Sequence, residues 1–302
     1  MGHEHCDHSH DHAHSHPTPA GRGLALAFFL NISFAVVELV GGLLTNSVAI
    51  LSDALHDFGD ASALGLAWYL ERVSGKKADS AFSYGYRRYS LLSAVITSTV
   101  LICGSLFMAW RAVDRLMHPE SVNAQGMLLL SVLGILVNGL AFKFTHHGHS
   151  HNEKAVSLHL LEDVLGWVAV LIASIVMMFV EVKWLDPALS LAISSYILWG
   201  AIGRIRDTSL VFLQRVPANI DLSGVRISLE RVAGVERVVD LHVWSTDGQQ
   251  NIVTLSVRTK PGSPGGSALR TALTDALGEL AHHHVTIEVL EANEPSLGCE
   301  HT

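Results

Sequence analysis

The sequence predicts a polytopic α-helical membrane protein, with six transmembrane helices followed by a small cytoplasmic α+β domain. Three observations carry that prediction. Charged residues are 16% of the 302-residue chain and hydrophobic ones 49%, and mean hydropathy is positive, whereas an ordinary soluble domain carries about 25% charged residues. The apolar residues form long blocks between 24 and 212, while 1–22 and 213–302 read as water-soluble. After residue 212 the hydrophobic period shifts to short alternating segments. The organisation expected is an arm at 1–22, a membrane domain at 23–210, a cytoplasmic domain at 211–293 and a tail at 294–302.

A spanning helix needs about 20 mostly apolar residues to cross about 30 Å of hydrocarbon. Six stretches meet that length: 24–44, 48–70, 89–111, 126–145, 156–180 and 185–206. Gly41, Gly42 and Asn46 mark the first turn. Asp186 and Pro187 open the sixth helix, where a missing N–H costs little. The loop between the second and third helices holds Arg72, Lys76, Lys77, Arg87 and Arg88. The fourth connection adds Lys143 and Lys154, and the end of the sixth helix adds Arg204, Arg206 and Arg215. The opposite turns carry only Lys183, with Arg111 and Arg115 near the third turn as a counter-signal. Positive charge collects on the cytoplasmic side, so both termini are expected there.

The region after residue 212 reads as helix 221–233, strand 236–244, strand 251–259, helix 267–281 and strand 284–291. Thr246, Asp247 and Gly248 supply a hairpin turn between the first two strands. The order α-β-β-α-β suggests helices packed on one face of a sheet. About 80 residues is near the lower limit for a self-sufficient core, which favours dimerisation.

Ionisable residues inside apolar helices are costly and mark function. The second helix holds Asp53, His56, Asp57 and Asp60; the fifth holds His159, Glu162 and Asp163. Residues four apart share a helix face, with Cβ atoms about 5–6 Å apart. His56 and Asp60 can therefore aim at one point, as can His159 and Asp163. Two imidazoles and two carboxylates make a tetrahedral set suited to Zn²⁺. A local His–Asp hydrogen bond explains one such pair; the repeat on a second span favours a transport site for metal. Asp57 points about 100° away from His56, and Asp53 reads as a carboxylate near the positive end of the helix dipole. Glu162 is also off the line of its neighbours. Asn31, Glu38 and Asn138 are read as interhelical polar contacts rather than an entry path.

In these stretches the chain resembles the cation diffusion facilitator family, in its zinc-transporter branch. The residues that carry the resemblance are NSVAILSDALHDFGD, FSYGYRR, VSLHLLEDVLGW, WLDPALS and VVDLHVWS, in that order along the chain. The resemblance implies a homodimer with six transmembrane helices per subunit and a cytoplasmic tail of ferredoxin-like fold. It implies Zn²⁺ export in exchange for H⁺, with His56, Asp60, His159 and Asp163 as the transport ligands. Imidazole in the set suits Zn²⁺, Co²⁺ or Ni²⁺ better than Mn²⁺, and Cd²⁺ is a further candidate. At the family's accessory positions the chain departs: Asp79 stands where an interfacial ligand can occur, but Phe82 replaces its partner. Val239 and Ser256 occupy strand positions that carry histidine in other members.

Histidine is the commonest side-chain metal ligand near neutral pH. Of the nineteen histidines, seven lie within residues 3–16, four at His146, His147, His149 and His151, and three at 282–284. The alternation of the first group with small and acidic residues reads as a native metal-gathering arm rather than a tag. His242, His284 and Cys299 are the remaining accessory candidates, with a backbone-paired strand histidine as the alternative for His242. Neighbours on a strand face opposite ways, so at most His282 and His284 of the last cluster cooperate.

The remaining observations exclude classes. A net charge of −8 without a basic stripe argues against nucleic acid. Three scattered cysteines offer no disulfide framework, and the polar first sixteen residues are no signal peptide. No resident cofactor, phosphate loop, ATP site or enzymatic nucleophile is seen. The partners expected are the lipid bilayer, a second copy and the H⁺ counter-ion, in a bacterial inner membrane. Two rivals are a membrane zinc sensor and a metal-gated channel; four strong ligands at one site argue against a channel, whose ions must leave readily.

Overall fold

In the computed structural model, the residues described are 19–145, 151–263, 266–282, 284–292 and 294. Side chains are not described at 19–28, 30, 64, 67, 68, 71, 72, 144, 145, 151–159 and 282. Six long helices come first: α1 (Pro19–Thr45), α2 (Val48–Ser74), α3 (Tyr89–Met117), α4 (Ala124–Thr145), α5 (His151–Phe179) and α6 (Leu185–Phe212). Four described segments are long and apolar enough to cross a membrane, namely Tyr89–Met117, Ala124–Lys143, Leu160–Phe179 and Leu185–Phe212; Asn31–Thr45 is a shorter apolar piece. Large apolar side chains point outward, with Phe179 83% and Trp199 75% exposed. An exterior of this kind suits lipid better than water.

The expected ends of α3 and α6 fall short of the observed ones. α3 runs on to Met117, so Arg111 and Arg115 lie within its last two turns rather than in a turn. No helix breaker precedes Pro119, and the hydrophobic count alone stopped too early.

The chain divides into two compact units. One comprises residues 1–68 and 118–189, the other 69–117 and 190–302. In the first unit, α4 and α5 pack against each other. Trp167 of α5 is buried at the centre of a cluster with Ile50, Met127 and Val170. It fits because α4 carries Gly134 opposite: a Cβ there would stand 2.2–2.6 Å from three Trp167 ring atoms. Phe34 of α1 meets the same indole edge-on at 6.0 Å.

The turn between α1 and α2 is built from three consecutive residues. Thr45 accepts the Asn123 N–H through its carbonyl at 2.8 Å. Asn46 takes a φ of 57°, which its short polar side chain tolerates, and donates to Glu120 and to the Ser121 carbonyl. Ser47 then caps α2, its hydroxyl oxygen accepting from the Ile50 N–H at 3.1 Å. Asp186 of α6 completes the cap from outside: it accepts from the Ser47 hydroxyl at 2.5 Å and from the Val48 and Ala49 N–H groups at 2.8 and 3.4 Å.

In the second unit, Leu101 of α3 packs with Ile197 and Ala201 of α6. The tail elements are α7 (Leu222–Glu230), β1 (Val235–Ser245), β2 (Asn251–Thr259), α8 (Ser267–Leu277), a single 3₁₀ turn Gly278–His282 and β3 (His284–Leu290). Asp221 caps α7 through the Ser223 N–H. The sheet order is β1-β2-β3, with β1 antiparallel to β2 and β2 parallel to β3. Leu241, Val243, Val253, Leu255 and Val257 meet Leu229, Leu269, Leu273 and Leu277 in one core. His282 belongs to the 3₁₀ turn, not to the strand of His284, so strand alternation does not relate the two.

Candidate metal centre

α2 forms because an apolar helical stripe runs from Ala49 to Leu70, and its start is capped twice over. On it, His56 Nε2 lies 3.6 Å from Asp60 Oδ2, with both side chains about a fifth exposed (18% and 21%). The spacing of four therefore does bring imidazole and carboxylate to one point. Asp163 lies half-buried on α5, one turn before Trp167. The Trp167–Gly134 fit fixes the rotation of α5 and with it the direction of Asp163. α5 runs through His159 on the Asp163 face, but the His159 side chain lies outside the described residues. Among the described residues no three His, Cys, Asp or Glu side chains converge as a metal-holding group.

α2 carries a second acidic face that the sequence undervalued. Asp53 and Asp57 are both buried. Asp53 sits in the second turn, and no acidic residue occupies the first, so it does not serve the helix dipole as expected; Asp186 does that from α6. A Cβ placed on Gly166 of α5 would stand 3.9 Å from Asp53 Oδ1, which brings this face close to α5. Glu38 of α1 is fully buried, with neither carboxylate oxygen hydrogen-bonded. The interhelical contact expected of Glu38 is with another acid, Asp57 of α2, rather than with a donor from a neighbouring helix. For Asn138 the expectation fails, since its amide donates back to the Gly134 carbonyl of its own helix at 3.2 Å. Glu162 is exposed, in keeping with its place off the His159–Asp163 line. A missed signal for Glu38 was available: a lone carboxylate in an apolar helix without a basic residue within a turn.

The accessory positions are engaged elsewhere. Asp79 Oδ1 accepts from the Ala81 and Phe82 N–H groups at 2.8 and 2.9 Å, and Oδ2 accepts from the Tyr86 hydroxyl at 2.7 Å. The Tyr86 hydrogen bond, then the two backbone ones, hold the Asp79 carboxyl below its usual range; the same hydrogen bond to Asp79 raises the Tyr86 phenol. Phe82 stacks on Tyr86 at 4.4 Å where the resemblance would want a ligand. His242 Nε2 is 2.9 Å from Asp240 Oδ2 on the same strand face, so a carboxylate is among its partners. His242 also lines a cavity of about 380 Å³ with Trp244 and Thr254. His284 meets Tyr84 edge-on at 5.4 Å. The arm at 1–16, His146, His147, His149, Cys299 and the side chain of His151 lie outside the described residues.

Long helices with apolar side chains outward, and in the first unit buried carboxylates beside the His56–Asp60 pair, define a class: a membrane protein that handles cations. Residues 24–213 match the cation efflux transmembrane domain, and the chain belongs to that family, whose members are transporters and not enzymes. It is 32% identical over 270 residues to the cadmium, cobalt and zinc/H(+)-K(+) antiporter of Bacillus velezensis, covering 87% of this chain and 86% of that one. It is 30% identical over 267 residues to the zinc transporter ZitB of Pectobacterium atrosepticum, covering 87% and 83%. The metal cation efflux system protein CzcD of Cupriavidus metallidurans is 29% identical over 265 residues, covering 87% and 84%.

Proposed function

We propose that this chain is a secondary transporter that exports a divalent transition metal, Zn²⁺ foremost, from the cytoplasm in exchange for H⁺. All six helices cross the membrane, both termini face the cytoplasm, and the subunit works as a homodimer in a bacterial inner membrane. The tail adopts a ferredoxin-like fold. The transported ion is held by His56, Asp60, His159 and Asp163. The observation that carries this reading is the His56–Asp60 pair at 3.6 Å inside α2, in the same compact unit as Asp163 on α5. The metals that the relatives' names carry support the choice of ions.

The ligand chemistry supplies the coupling. A carboxylate and an imidazole nitrogen bind metal only when deprotonated, so Zn²⁺ and H⁺ compete for the same atoms. Facing the cytoplasm, the site fills with metal; facing outward, proton binding at the ligands expels it. Selectivity follows from two nitrogen donors among four, which favours borderline ions over Mg²⁺ or Mn²⁺. The histidine arms gather ions at the entrance and are dispensable at saturating zinc.

The test is zinc uptake into inverted vesicles under a pH gradient. Asp60→Ala and Asp163→Ala each reduce uptake to background while the protein keeps its elution volume in detergent. Uptake at the wild-type rate in either variant removes the four-ligand reading.

A further inference from the structure

Glu38 of α1 has given up its water, and among the described residues no basic or amide donor reaches its oxygens; the side chain it meets is the carboxyl of Asp57. Burial of that kind is costly for a carboxylate unless a positive charge answers it. Among the described residues, the charged groups acting on it are Asp57 and Asp53 of α2 and, more weakly, Asp163 of α5. All three are acidic, and Asp53 and Asp57 are themselves buried. Such a cluster repels itself unless a positive charge sits within it. α2 thus presents two acidic faces, His56 with Asp60 on one and Asp53 with Asp57 on the next, and Glu38 stands against the second.

We propose that Glu38 and Asp57 form a second station for the transported divalent cation, beside the His56–Asp60 pair, and that the ion passes between the two. The proposal rests on the reading of His56 and Asp60 as transport ligands. Two carboxylates without an imidazole hold a zinc-like ion less tightly than the mixed set does. A weaker station next to a tighter one lets the ion leave the tight site stepwise rather than in one desolvated jump. Asp57 follows His56 about 100° round α2, so the two stations lie on adjacent faces of one helix.

The full-length protein in proteoliposomes provides the test, with zinc flux and equilibrium binding of Zn²⁺ alone measured on the same preparation. Glu38→Gln keeps the shape and removes the charge. The expected result is a fall in maximal flux of about tenfold or more, while the bound zinc that Asp60→Ala abolishes is retained. Glu38→Asp, which restores the charge on a shorter arm, recovers part of the flux. Asp57→Asn, measured in parallel, shows the same split and carries the test if Glu38→Gln does not fold. Flux within about twofold of wild type in the neutral variants overturns the proposal. So does loss from Glu38→Gln of the same bound zinc that Asp60→Ala loses, because Glu38 would then belong to the one site. Normal flux in Asp60→Ala alone strikes the transport-site reading, whereas normal flux in Glu38→Gln alone strikes only this one.

Discussion

Asp186 and Glu38 are both fully buried carboxylates of the same unit, yet their surroundings are opposite. Asp186 accepts three hydrogen bonds, two of them from the open N-terminus of α2, where the helix dipole adds to the attraction. Among the described residues, Glu38 has no backbone or basic donor and faces other acids, Asp57 foremost. Burial therefore does not sort structural carboxylates from working ones; the supply of donors does. Asp186 holds the end of the helix that carries the candidate ligands, while Glu38 has only acidic groups around it among the described residues.

The contrast can be broken at Asp186 first. Asp186→Ala strands a hydroxyl and two helix N–H groups, and is expected to cost about 3 kcal/mol or more. It shows as a clear fall in unfolding temperature in detergent. Asp186→Asn, which keeps one acceptor, falls less, and Glu38→Gln leaves the temperature near wild type. Equal losses at the two positions would erase the distinction.

A smaller loss is expected where the first unit is packed rather than charged. Gly134→Ala drives a methyl group into the Trp167 ring and costs about 2 kcal/mol by overpacking. Since Trp167 sets the rotation of α5, the apparent affinity for zinc weakens as well. Trp167→Phe in the same background makes room and restores both. Failure of that rescue would detach the tryptophan from the site.

The smallest effect belongs to the Asp79 loop, which is exposed and outside the bundle. Its carboxyl is held below the ordinary 3.8 by Tyr86 and two N–H groups. A depressed carboxylate lends order that is fully present above that ordinary value and is lost as pH falls through the lowered one. Hydrogen exchange of the Ala81 and Phe82 amides should stay slow down to about pH 4 and speed up below it, while Asp79→Asn shows no such step. An exchange profile that is the same in both would remove Asp79 from the loop's support.

How much of this was readable in advance depends on the range of the interaction. The six helices and the α-β-β-α-β order of the tail were legible, because long apolar blocks and period-two alternation are local signals. The His56–Asp60 pair was legible for the same reason: residues four apart meet on any helix. Asp53 was misassigned because its nearness to the helix start was read without knowing that Asp186, more than a hundred residues later, takes that duty. Glu38 was undervalued because only packing shows that no donor reaches it. Asp79 looked like a ligand by position, and only the fold of its loop shows both oxygens already engaged.

The loop after α2 is fastened to the tail twice within the second unit, at the β1–β2 turn by Arg87 Nη1 on Asp247 Oδ2 at 3.4 Å and at the start of β3 by Tyr84 on His284. The two fasteners answer to different variables. The guanidinium is half exposed, and added salt screens its attraction over a Debye length of about 8 Å at physiological strength. The ring contact rests on quadrupole and area, which salt barely touches. Raising ionic strength therefore loosens the tail at one point and leaves the other as a pivot. The tail is free to swing about β3 before it is free to leave.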